Sequence, residues 1–79
     1  MVDKNTFELV LQAISAGLVE MIIEETGIGE NDAIGELYSS KLYKALSNEE
    51  LKVWHYSVSA LFDMWKEEKV KGKFEYPDY

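Results

Sequence analysis

The feature that most restricts this chain is Phe7–Ile23, FELVLQAISAGLVEMII, its longest apolar run. Wound at 100° per residue, Glu8, Gln12 and Ser15 form one narrow polar stripe, and nearly all the rest of the circumference is Val, Leu, Ile, Met, Phe, Ala or Gly. An ordinary surface helix is apolar over a third to a half of its girth. One that is apolar nearly all round is expected to be enclosed by other elements or by a second chain. The sequence therefore predicts an all-α fold, a small orthogonal bundle of three to five helices around a central apolar N-terminal helix.

The 79 residues suffice for one domain. A domain of this size buries only about 60% of the surface its unfolded chain exposes, so it commonly leans on disulfides, a metal or a partner chain. With no cysteine, disulfides are out and a zinc site lacks its usual thiolates. No cofactor is expected. Good helix packing or association is what remains.

Charge narrows the partners. Fifteen acids face eight lysines and no arginine, a net of −7. A nucleic-acid binder displaces counterions with a basic face, and this chain has the opposite. Nucleic acid and anionic membranes are poor partners, and a basic protein surface is the favoured one. Met1-Val2-Asp3-Lys4 lacks the basic start of a secretory signal, and Glu8, Gln12, Ser15 and Glu20 interrupt the apolar run. A soluble cytoplasmic protein that does not span a membrane is the expectation.

Along the chain, Asn5 with Glu8 reads as a capping box and Gly27 as a left-handed stop, giving a first helix of about Thr6 to Thr26. Ala13, Ala16 and Gly17 offer a place for a crossing helix to approach. Gly29 starts a second helix, with Ile28 able to staple onto Ala33; Ser39-Ser40 ends it and caps a third, short one closing near Ser47-Asn48. Beyond that point the period alone, with Ser47 and Glu50 as a capping box, allows one helix from Asn48 to Lys71. Against it, Val53-Trp54-His55-Tyr56 are mediocre helix formers and Ser57 is a good N-cap, so a break near Tyr56–Ser57 is predicted, followed by a helix Val58–Lys71 stopped by Gly72. Residues 1–73 form the helical domain and 74–79 an aromatic tail that should fold back on the helices or onto a partner.

Candidate chemistry is sparse. His55, the lone histidine, lies near Ser57, Ser59 and Asp63, but no nucleophile elbow or oxyanion loop accompanies it. It reads as a partly buried residue bonding a backbone group. Glu30-Asn31-Asp32 runs straight into a helix and lacks the oxygen spacing of a calcium loop. No enzyme is expected. The aromatics remain: Tyr38 and Tyr43 diverge on an unbroken helix, but a break at Ser39-Ser40 brings them to one side. With Phe74, Tyr76 and Tyr79 they form the expected interaction residues, rimmed by Glu30, Asp32, Glu36, Glu75 and Asp78.

Leu37-Tyr38-Ser39-Ser40-Lys41-Leu42-Tyr43-Lys44-Ala45-Leu46, followed by Trp54-His55-Tyr56-Ser57, resembles a group of short bacterial proteins of unknown function. Their pattern is Tyr-x-Ser-x-x-Tyr-x-x-Leu, a polar gap, an aromatic-polar-Ser element and a closing amphipathic helix, matched here at Tyr38, Ser40, Tyr43, Leu46, Trp54, Ser57 and Glu68. Where such proteins often have proline after the second serine, this chain has Val58. Their genes often neighbour ADP-ribosyltransferase-like toxin genes, so the resemblance implies an antitoxin or toxin-associated accessory. The expected function is a non-enzymatic protein-interaction module of that kind. The alternative is a self-associating structural protein, a homodimer through helix 1.

Overall fold

The computed structural model describes residues 4–75. Four α-helices, α1 (Lys4–Thr26), α2 (Glu30–Tyr38), α3 (Lys41–Leu46) and α4 (Val58–Lys71), are joined by turns and by two 3-10 turns, Glu49–Leu51 and Val53–His55. The fold is a small all-α bundle. At about 1.5 Å per residue α1 is roughly 35 Å long, which sets the longest dimension of a 37 × 26 × 18 Å molecule.

The helix ends follow local chemistry. α1 already includes Lys4, so Asn5 lies inside it rather than capping it, contrary to the capping-box reading. It stops where Gly27 turns left-handed at φ 75°. Thr26 Oγ1 donates to the carbonyl of Ile22 (2.7 Å) and accepts from the amide of Ile28 (3.4 Å). Gly29 caps α2 by backbone alone, with Glu30 and Asp32 favourably placed at the positive end. Ala33, at the position where Ile28 was expected to staple, is fully buried, and Ile28 is partly buried against the core.

The break at Ser39-Ser40 is fixed from both sides of the chain. Ser40 is extended, accepts from the amide of Tyr43 (3.0 Å) and donates to the carbonyl of Leu37. From α4, the Glu68 carboxylate accepts from the amides of Lys41 (2.8 Å) and Leu42 (3.0 Å). The first-turn donors that a helix cannot satisfy by itself are thus supplied with oxygen. Lys41 in turn donates through Nζ to the carbonyl of Gly72 (2.8 Å).

Between α3 and α4 the sequence does not form one long helix. Ser47 is the C-cap of α3, not the start of a capping box, and Asn48 Oδ1 takes the amide of Glu50 (3.1 Å) instead. Lys52 adopts a left-handed φ of 56°, a conformation a side chain enters at some cost. Val53 is then driven fully into the core, and Trp54 meets Phe7 edge-on at 6.3 Å. Ser57 Oγ accepts from the amide of Ala60 (3.1 Å) and starts α4, which Gly72 ends at φ 78°.

The core joins Ile14, Leu18 and Ile22 of α1 to Ala33 and Leu37, Leu42 and Leu46, Val53, and Leu61, Phe62, Met64 and Trp65. Gly17 lies under the first turn of α4, where a β-carbon would stand 3.3 Å from Val58 Cγ1. Ala13 and Ala16 do not share that crossing; both are exposed. Nor is α1 enclosed. Its buried residues Phe7, Ile14, Ser15, Leu18 and Ile22 occupy one side, whereas Leu9 is 66% exposed. Of the two kinds of cover expected for its apolar circumference, other elements or a second chain, the fold supplies the first on one side only: α2 and α4, of nine and 14 residues, lie along one side of a helix of 23.

Candidate interaction surface

The uncovered side of α1 is a stripe at helical spacing, Leu9, Ala13, Ala16, Glu20 and Ile23, of which the first four are exposed and Ile23 is half-buried. Beside it runs a groove against α2. Gln12, Ser15, Ala16, Val19, Glu20 and Ile23 of α1 and Glu30, Ile34 and Tyr38 of α2 enclose about 400 Å³. The groove continues past Tyr38 into a smaller depression of about 240 Å³ lined by Glu8, Leu11, Gln12, Ser15, Tyr38 and Tyr43. Ser15 is common to both, and its hydroxyl is buried with no hydrogen-bond partner. Most buried hydroxyls in folded proteins have one.

Two of the expected interaction residues meet here. The turn at Ser39-Ser40 stacks Tyr38 on Tyr43, with ring centroids 4.6 Å apart and planes 26° from parallel. Tyr38 is 55% exposed and Tyr43 half-buried. Burial and then the neighbouring Tyr38 phenol raise the Tyr43 pKa above its ordinary value. Phe74 is not part of this group. It is partly buried against the hydrophobic core, and Glu75 donates its amide to Glu67 Oε1 (2.8 Å), which draws the start of the tail onto α4. That bond, followed by Lys71 and Lys73, lowers the Glu67 pKa. Tyr76 and Tyr79 lie outside the described residues, as does Asp78.

The acidic rim also differs from the expected one. Glu36 pairs with Lys69 of α4, and Glu30 is the one member of the expected set that lines the groove. Glu8 and Glu20 take the other rim positions. This belongs to a wider asymmetry. Residues 4–38 carry seven acids and a single lysine, Lys4, while residues 41–75 carry six acids and seven lysines. The net negative charge therefore resides on the α1–α2 half, −6 over residues 4–38 against +1 over residues 41–75.

A second hollow, about 430 Å³, lies on the α4 side between Thr26, Ile28, Glu36, Trp65, Lys66, Lys69 and Val70. Trp65 Nε1 is buried there without a partner, Lys69 Nζ sits 5.4 Å from the Trp65 ring centre, and Val70 is 85% exposed. The Lys69–Glu36 ion pair bridges α4 to α2 at its edge.

His55 is exposed rather than partly buried; its Nδ1 meets the Lys52 carbonyl and its ring lies 4.4 Å from that of Tyr56. The Ser57 hydroxyl beside it is occupied by capping α4. Among the described residues no three acids or histidines come together as a metal-ligand set. α1 is long and apolar enough to cross a membrane by length and composition, a test that the core helix of a soluble protein also passes.

Residue types alone gave no sign of the unpartnered Ser15 hydroxyl or of the bare stripe on α1. A cue existed for Glu68, which stands in the resemblance pattern with Ser40 and Ser57: all three act here as helix caps. Set against known protein families, curated proteins and solved structures, the chain matches none.

Proposed function

We propose that this chain is a non-enzymatic protein-interaction module that engages its partner through the outer side of α1 and the stacked Tyr38–Tyr43 pair. The observation that carries this reading is the apolar groove beside an uncovered apolar helix stripe, closed by two aromatic rings and rimmed by Glu8, Glu20 and Glu30. An apolar centre with aromatic anchors and a charged rim is the usual anatomy of a protein interface. The toxin-associated role implied by the resemblance at residues 37–57 is one form of this function, with a basic toxin as partner. Self-association through α1 is the second reading, and Leu9, 66% exposed on that helix, favours it.

The experiment compares wild type with Tyr43→Ala and Ala16→Arg, after circular dichroism has confirmed that each is folded. Proteins co-purifying from host lysate are quantified, and sedimentation equilibrium reports self-association. A partner retained by wild type and lost by both variants supports the module. Equal recovery with all three moves the interface elsewhere.

A further inference from the structure

Resting on that reading, we infer that the groove between α1 and α2 accepts a basic amphipathic helix of another protein, about three turns long, and not a second copy of this chain. Its floor is Ser15, Ala16, Val19 and Ile23 on one side and Ile34 on the other, with Tyr38 at one end. From Gln12 to Ile23 the α1 wall runs roughly 16 Å, the rise of three helical turns. Both walls are helices whose backbone groups are bonded within themselves, so no free strand edge exists for an extended peptide to pair with. A helix brings its own backbone bonds satisfied and needs only apolar contact and flanking charge. The small side chains of Ser15 and Ala16 let it approach closely.

Charge decides the occupant. Among the described residues, Glu8, Glu20 and Glu30 line the groove and no lysine does, and seven of the chain's acids belong to the two helices that form it. A second copy would set these carboxylates against their own counterparts, and like charges across an interface are costly. An anionic lipid surface is repelled for the same reason. Lysines or arginines along the two flanks of a guest helix meet the rim instead.

The test uses a displayed library of 18-residue amphipathic helices, with one fixed Leu/Ala face and flanking positions free among Lys, Arg, Glu, Gln and Ser, selected against the full chain. Selected peptides are then synthesised and titrated calorimetrically. Lys- or Arg-flanked peptides should be enriched. Their binding should weaken at least tenfold in Ala16→Arg and in the double variant Glu20→Lys/Glu30→Lys, and also between 50 and 500 mM salt. All three replaced residues are exposed, so Ala16→Arg should leave the melting temperature unmoved, and the double variant should show only the small fall that comes with losing the favourable Glu30 charge at the start of α2. Enrichment of acidic or neutral flanks, or binding indifferent to the charge reversal, overturns the basic helix as occupant. So does a wild-type dimer that Ala16→Arg dissociates, or uptake onto phosphatidylcholine vesicles, while the interaction reading survives the dimer result. No enrichment over empty display from a monomeric chain overturns the helix as occupant, while loss or retention of the co-purifying partner in Tyr43→Ala and Ala16→Arg decides the interaction reading separately.

Discussion

The two sides of α1 and the α3–α4 junction are held in different ways. α1 meets its neighbours through Ile14, Leu18 and Ile22, side chains that need area and shape but no particular direction. The junction of α3 and α4 is fastened by directed polar bonds between residues far apart in sequence: Glu68 to the amides of Lys41 and Leu42, and Lys41 Nζ to the carbonyl of Gly72. Apolar contact lets a helix be buried on one side and bare on the other. Directed bonds fix where a short helix begins, and with it the angle at which Tyr38 and Tyr43 meet. The surface proposed to bind depends on both, its stripe on the first and its stacked rings on the second.

The largest effect is expected from breaking the apolar side. Leu18→Ala removes a side chain with no exposure, and a buried leucine of this kind is worth about 2–5 kcal/mol. That is a large share of the stability of any small domain, and urea titration should show a chain unfolded or nearly so. A midpoint close to wild type would mean that α1 is not where the core is anchored.

Breaking the polar side should cost less and act locally. Glu68→Ala leaves two amides without their charged acceptor, and a hydrogen bond to a charged group contributes about 1.5–3 kcal/mol; the lower end is expected because Glu68 is only half-buried. Amide exchange at Lys41 and Leu42 should accelerate more than exchange in α1. Uniform acceleration everywhere would show that the cap serves the whole fold and not the start of α3.

The pH response sharpens the same contrast. Tyr43 has its pKa raised in the fold, so it binds its proton more tightly there than in the unfolded chain. Its contribution is complete below the ordinary tyrosine range and is lost as pH rises through the folded value. Stability should therefore fall in alkali, and Tyr43→Phe should flatten that fall. A phenolate absorbance titration that places Tyr43 at or below a normal tyrosine would contradict it.

The smallest effect is expected on the bare side of α1. Ala16→Arg adds a long charged chain to an exposed position, and surface changes of this sort usually stay within about 0.5 kcal/mol. A strongly lowered melting temperature would place Ala16 against other parts of the fold.

Much of the fold was legible because it is encoded locally. Gly27 and Gly72 supply the left-handed stops, and Ser40 and Ser57 supply hydroxyls at the starts of α3 and α4, so the ends could be read from neighbouring residues. The break before Ser57 was legible from the poor helix formers at Val53–Tyr56. The bareness of α1 was not, because a hydrophobic circumference states what a helix can bury, not how much chain is left to bury it. The role of Glu68 was hidden for a different reason: its partners are 27 and 26 residues away, and nothing near a carboxylate in sequence shows which distant amides it will reach. Of the site, the Tyr38–Tyr43 pairing followed from the turn. The groove did not, since it exists only once α2 has been laid against α1.

The Glu68 cap also orders events in time. A six-residue helix such as α3 has almost no persistence alone, because nucleation consumes most of what so few bonds return. Its first amides wait for a carboxylate that arrives only when α4 has docked. α3 is therefore expected to form after α1 and α4 have met, and the tyrosine stack after α3. In a stopped-flow refolding experiment the tyrosine signal should lag behind far-ultraviolet ellipticity, and Glu68→Ala should lengthen that lag. The aromatic end of the groove is then expected to be the last part to assemble.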